Sequence, residues 1–253
     1  MKYNQLFLYF STVTIWGSTW FAITFQLGEV EPIISVIYRM GLASVLLFIL
    51  CKVRTISLHA TRRDHLFYAI QGILSFGLNF WFIYMSEMYI TSGIIAVIFS
   101  LIVFFNLINS RIFLKRPIEK NTVIGGLVGI SGLYFLFYPE LSNASSESTA
   151  LTGFALALTA VVLASLGNIA STRSGPLGHS VWKINAWSTF YGTLALGIIA
   201  KVLDIEFSYD YRLEYTASLI YLSVFGTILA FGAYLKLMVL IGPEKASYGA
   251  LMI

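Results

Sequence analysis

Residues 52–65 and 202–215 hold equivalent places in two hydropathy patterns 150 positions apart, yet carry opposite charge. The first segment has Lys52, Arg54, Arg62 and Arg63 against Asp64. The second has Asp204, Glu206, Asp210 and Glu214 against Arg212. Beside the ends of membrane helices, Lys and Arg mark the cytoplasmic side. A repeated unit whose equivalent loop turns from basic to acidic is therefore expected to sit upside down relative to its partner. Inverted repeats of this kind are a common ground plan of secondary transporters.

The solvent follows from composition. The chain is 58% hydrophobic and 11% charged, whereas soluble domains carry roughly 25% charged residues. Apolar runs recur at the length that crosses a hydrocarbon core as a helix, about 20 residues. They lack the period-2 alternation of a membrane barrel. Cys51 is the single cysteine, so neither a disulfide framework nor a cysteine metal site is expected. The first apolar run is too long for a signal peptide and contains Trp16 and Trp20, so it is read as structure.

The predicted fold is an all-α, polytopic membrane protein. Its spans are 5–25, 32–51, 66–88, 91–113, 121–138, 152–172, 182–202, 216–235 and a ninth beginning near 243. Breakers separate them: Gly28 and Pro32, Pro117, Pro139, Gly175 with Pro176, and Gly242 with Pro243. A first repeat over 1–138, an external connector over 139–151 and a second, inverted repeat over 152–253 are expected. With the N-terminus in the cytoplasm, 13 basic residues fall inside and 2 outside, with Arg39 in a span. Five spans precede the connector, so the second half starts on the opposite face. Direct identity between the halves is weak, with Gly17/Gly167 and Tyr84/Tyr234 among the matches. Ile253 corresponds to Val103, in the middle of the fourth span. The last part of a ninth span and all of a tenth are therefore expected to be missing from this sequence.

Candidate substrate-binding residues are Trp16, Ser18, Trp20, Arg39, Asn79, Tyr84 and Asn168. Arg39 lies inside the second span, where an ionised side chain costs at least ~2.5–3.5 kcal/mol and usually marks function. It is expected either to attract an anionic group in a cavity or to form a structural ion pair with Glu87, which is otherwise an interfacial residue or a gate partner. Trp16 and Trp20, four residues apart, share a helix face and suit an aromatic wall. Ser18 and Asn168, at equivalent points of the two halves, could supply polar contacts at the repeat interface. Asn79 is an amide in mid-span and needs a partner. Gln71, Thr227 and Tyr234 are weaker candidates. Gly17, Gly167 and the series Gly125, Gly129, Gly132 read as helix-packing positions. Trp182 and Trp187 read as interfacial belt residues, and His59, His65 and His179 as loop residues.

No catalytic cluster, cofactor or metal site is expected, and no nucleotide-binding loop is present. The expected partners are a small-molecule substrate and the lipid bilayer, with no nucleic acid; a homodimer is left open.

Several local patterns resemble the drug/metabolite transporter superfamily, specifically its ten-helix EamA-type exporters. They are Trp16-Gly17-Ser18-Thr19-Trp20, Glu31-Pro32 followed by Tyr38-Arg39, and Tyr89-Ile90-Thr91-Ser92-Gly93. Leu114-Lys115-Arg116-Pro117, Gly125-Gly126 and Leu240-Ile241-Gly242-Pro243-Glu244-Lys245-Ala246-Ser247 continue the resemblance. It implies two inverted five-helix halves around a central cavity. It also implies export or exchange of a small organic metabolite, such as an amino acid or amphipathic compound, by alternating access at a bacterial inner membrane. A non-transporting membrane scaffold or regulator, or an inactive truncated paralogue, is the alternative.

Overall fold

The computed structural model describes residues 3–115, 149–174 and 180–252, with scattered positions between 124 and 138. Pro117, Gly126, Gly129, most of the predicted connector and the Gly175–Pro176 turn with His179 lie outside the described residues.

The regular structure of the described residues is all helical, without strands. Helix α1 spans Tyr3–Thr24 and α2 Pro32–Val53. Helix α3 covers Arg62–Glu87 and α4 Ser92–Leu114. Helix α5 is Thr149–Ser174, α6 is Val181–Val202 and α7 is Leu213–Ile241. A short helix α8, Pro243–Ala246, and a 3-10 turn, Ser247–Met252, follow. Six of these helices are long and apolar enough to cross a membrane.

Local chemistry sets the ends. Gly28, at φ +114°, makes the turn out of α1, and Pro32 occupies the first turn of α2, where its missing N–H costs nothing. Helix α3 starts at Arg62, four residues before the predicted 66, because Thr61 and Asp64 form a reciprocal capping box. That places His65 inside a helix, not in the expected loop. Helix α7 runs to Ile241, past the predicted 235, because no breaker occurs before Gly242 (φ +86°) and Pro243.

The two halves repeat one another in backbone detail. A π-helical turn interrupts α3 at Gly72–Leu78, and another interrupts α7 at Leu222–Leu229. The C-terminal caps of α2 and α6 also match. Thr55 (φ 52°) and Asp204 (φ 54°) are both left-handed, and Ile56 and Ile205 donate backbone N–H bonds to Cys51 and Ala200, each at 2.9 Å or less. A β-branched residue is strained in this conformation. Thr55→Gly is therefore expected to stabilise the fold by roughly 0.5–1 kcal/mol, read as a higher melting temperature in detergent. An unchanged or lower value would mean that the cap carries no strain.

Packing follows the same exchange. Helix α1 packs on α7 while α5 packs on α3 and α4; α2 packs on the π-turn of α7 while α6 packs on that of α3; and α2 lies against α6. The polarity is arranged for lipid. Phe7, Phe21, Val53, Ile112, Ile198 and Val202 are exposed, whereas Arg39, Gln71, Asn79, Asn106 and Asn185 are buried.

Close backbone approach is concentrated at glycines. A Cβ on Gly72 would run into the Ser188 carbonyl, and one on Gly192 would lie 2.7 Å from the Gly72 oxygen. Gly167 is a tight contact against Ser75, as expected. A Cβ at Gly17, Gly125 or Gly132 meets nothing within 4 Å, so the packing role expected of those three is not found among the described residues.

Candidate functional site

A cavity of about 70 Å³ lies between α1, α3, α4, α5, α7 and the segment 246–250. Most of its lining is apolar and aromatic. Trp16 lines it, with ring centroids 4.9 Å from both Phe231 and Tyr234. Its indole Nε1 donates to the Gly226 carbonyl at 3.2 Å, tying α1 to the π-turn of α7. Trp20, one turn further on, packs edge-on against Phe99 at 5.6 Å. Phe231 also meets Phe76 at 4.6 Å. Such tilted and edge-to-face ring contacts each add about 0.5–1.5 kcal/mol beyond area burial.

The polar part of the lining is made of amides and hydroxyls. Asn168 donates to the Tyr234 hydroxyl at 3.1 Å and to Asn106 Oδ1 at 3.4 Å. Asn79 donates to the Ser75 carbonyl at 3.1 Å. No Asp, Glu, Lys or Arg belongs to the described lining.

Trp16, Trp20, Asn79 and Asn168 therefore meet in one cavity, and three other candidates do not line it. Ser18 is exposed, with its hydroxyl bonded to the Ile15 carbonyl and the Tyr221 hydroxyl at 2.7 and 2.6 Å. Two residues on from Trp16 is about 200° around a helix, so Ser18 must face away from a cavity that Trp16 faces. Tyr84 is buried one layer behind; on α3 it is Ile83, one turn from Asn79, that reaches the cavity.

Arg39 is also one layer back. Its guanidinium lies over Phe80 at 4.3 Å, and Phe80 separates it from the cavity. Nε donates to Thr227 at 3.2 Å and a terminal nitrogen to Tyr84 at 3.3 Å. Its own carbonyl accepts from Ser223 at 3.1 Å. Arg39 thus bolts α2 to α3 and to the π-turn of α7. The expected Arg39–Glu87 ion pair is not formed: among the described residues none joins them within 4.0 Å. Tyr84, one turn before Glu87, takes the guanidinium instead. The Glu87 carboxylate oxygens are enclosed without a hydrogen-bond partner among the described residues.

Ser75, Phe80, Phe99 and Phe231 line the cavity without having been singled out in the sequence. Phe231 is the position equivalent to Trp81 at the 150 offset, which is the signal that could have found it. The expected belt residues point inward. Trp187 stacks on Tyr191 and meets His65 edge-on at 4.7 Å, and its Nε1 donates to the Leu58 carbonyl at 3.2 Å. Trp182 presses against Gly232. Lys183 donates to the His59 carbonyl. In the loop after α6, the side chain and backbone N–H of Arg212 bond Asp210 at 2.7 and 2.9 Å, which holds that carboxyl below the usual carboxylate range.

Comparison with known proteins adds the family. The model of the EamA-like transporter family matches twice, over residues 4–138 and 151–251. The uncharacterized transporter YoaV of Bacillus subtilis is 23% identical over 245 residues, covering 96% of this chain and 82% of that protein. An uncharacterized transporter of Archaeoglobus fulgidus and the protein PagO of Salmonella typhimurium are each 27% identical. The chain spans about half of their lengths, 52% and 49%. A crystal structure superposes with a TM-score of 0.71 at 13% identity, over 100% of this chain and 86% of the other, which is a likeness of fold alone. With the family model matched in both halves and long apolar helices in each, the chain is a multi-pass membrane protein belonging to the EamA-like transporter family.

Proposed function

We propose that this transporter moves a small organic solute through the aromatic cavity by alternating access. One observation carries the reading: α1, α3 and α4 line the cavity from one half, and α5, α7 and residues 246–250 from the other. A site shared between two halves opens to one side or the other when they rock against each other. The proposed halves are 1–138 and 152–253, inserted in opposite orientations and joined by an external connector. Export across a bacterial inner membrane is the direction proposed, with an amino acid or an amphipathic metabolite as cargo. The 13-to-2 bias of basic residues supports a cytoplasmic N-terminus.

Orientation is tested by labelling intact cells with a membrane-impermeant maleimide, in a protein whose Cys51 is replaced by serine. Ser57→Cys is expected to stay unlabelled and Tyr211→Cys to be labelled; the reverse pattern overturns the orientation. Transport is tested by efflux from cells preloaded with labelled amino acids and amphipathic compounds. Expression is expected to speed the loss of at least one compound several-fold, and Trp16→Ala to abolish the gain. If no compound moves while the protein is folded in the membrane, the scaffold alternative stands.

A further inference from the structure

Three residues of the lining each carry a polar atom that is buried without a hydrogen-bond partner among the described residues: Trp20 Nε1, Ser75 Oγ and Asn79 Oδ1. Their chemistry is specified by what they can do. An indole N–H can only donate. The Asn79 amide is oriented by its own helix, because its nitrogen donates to the Ser75 carbonyl at 3.1 Å. Turning the amide over would set one oxygen against another, so the face left over is an acceptor. Ser75 Oγ can serve either way but lies against the Gly167 backbone, so Trp20 and Asn79 carry the recognition. A buried polar atom without a partner is costly, and a bound group that supplies the partner recovers that cost.

The rest of the lining is rich in rings: Trp16, Phe80, Phe99, Phe231 and Tyr234. Described ionised side chains contribute nothing to the lining, and the nearest cation, Arg39, is spent on Phe80, Tyr84 and Thr227. A charged ligand would lose its hydration here without gaining a counter-ion.

We infer that the cavity selects an uncharged, planar aromatic compound carrying an N–H donor beside a carbonyl acceptor, as in an aromatic lactam or amide. The carbonyl accepts from Trp20, the N–H donates to Asn79, and the ring packs against the aromatic lining. This rests on the cavity being the transport site. It narrows the cargo to the neutral, amphipathic end of the range, away from zwitterionic amino acids.

The test is equilibrium dialysis of tritiated probes against the purified protein in lipid nanodiscs. The probes are quinolin-2(1H)-one, its N-methyl derivative, which lacks the donor, and tryptophan, a zwitterion of similar size. The lactam is expected to bind, with the N-methyl compound weaker by roughly five- to tenfold and tryptophan not detected. Trp20→Phe removes the donor together with the five-membered part of the indole, leaving a six-membered ring beside Phe99; Asn79→Leu removes the acceptor. Each is expected to weaken the lactam by a similar factor. The N-methyl comparison uses the unaltered protein, so it holds even if a variant fails to fold. If tryptophan binds more tightly than the lactam and both variants weaken it, the chemical class is wrong and the cavity remains the site. If the lactam binds but neither variant nor N-methylation weakens it, the ligand sits elsewhere and the reading of the cavity itself falls. If no probe binds, the proposed class is overturned.

Discussion

Gly72→Ala is expected to cost roughly 3 kcal/mol or more and to lower the yield of folded protein sharply. The added methyl would meet the backbone carbonyl of Ser188, and behind it the backbone nitrogen of Gly192 at 3.1 Å. Neither can rotate away as a side chain could. The contact is also the seam between the π-turn of α3 and helix α6, one of the places where the halves lock together. Gly192→Ala, which faces the Gly72 oxygen at 2.7 Å, should behave alike. Gly197→Ala, one turn and a half further along α6, meets nothing within 4 Å. There alanine should be neutral, or stabilising by up to about 1 kcal/mol through helix propensity. Melting temperatures of the three variants in one detergent decide the matter. Equal shifts for Gly192→Ala and Gly197→Ala would show that the close approach is not a constraint.

Arg39 separates volume from charge. Arg39→Ala is expected to destabilise by about 3 kcal/mol, because it empties a fully buried position and leaves the Tyr84 hydroxyl without its donor. Arg39→Met keeps most of the volume and removes a buried cation that no acid pairs with among the described residues within 4.0 Å. Replacing buried ions by apolar groups of similar size is often near neutral, so this variant should melt within about 1 kcal/mol of the parent. Its efflux should nonetheless fall at least several-fold. Without the bonds to Thr227 and Tyr84, nothing polar holds the Phe80 wall in register with the π-turn of α7. Normal efflux from a normally folded Arg39→Met protein would reduce Arg39 to packing. Loss of the protein with both substitutions would point to a structural bolt whose charge is indispensable.

Much of the site was legible along the chain. Trp16 and Trp20 were paired by their spacing, Asn79 was marked as an amide in mid-span, and Asn168 by its place equivalent to Ser18 in the other half. The period of the helix then decides more than a list of residues does. The spacing that puts Trp16 in the cavity excludes Ser18, a consequence available from sequence. Other features had no local signal. The π-turns need an extra residue to be accommodated where two helices press together, and nothing in Gly72–Leu78 alone distinguishes it from an ordinary apolar helix. Phe99 and Phe231 are unremarkable phenylalanines until the helices that carry them converge. Arg39 was rightly marked as exceptional, yet its partners come from α3 and α7, 45 and 188 residues away.

The amino-acid order already carried the solvent, the helices, their approximate ends and the opposed charge of the two halves. These depend on hydrophobicity, caps and charge placement, which act over one or two turns. Which side of each helix faces the cavity, that Phe80 lies under Arg39, that Tyr84 displaces Glu87 as its partner, and that three buried polar atoms lack a partner among the described residues were settled by packing between distant segments. Hydrogen bonds and ring contacts require atoms within a few ångströms, and only the folded chain brings residues two hundred positions apart to that distance.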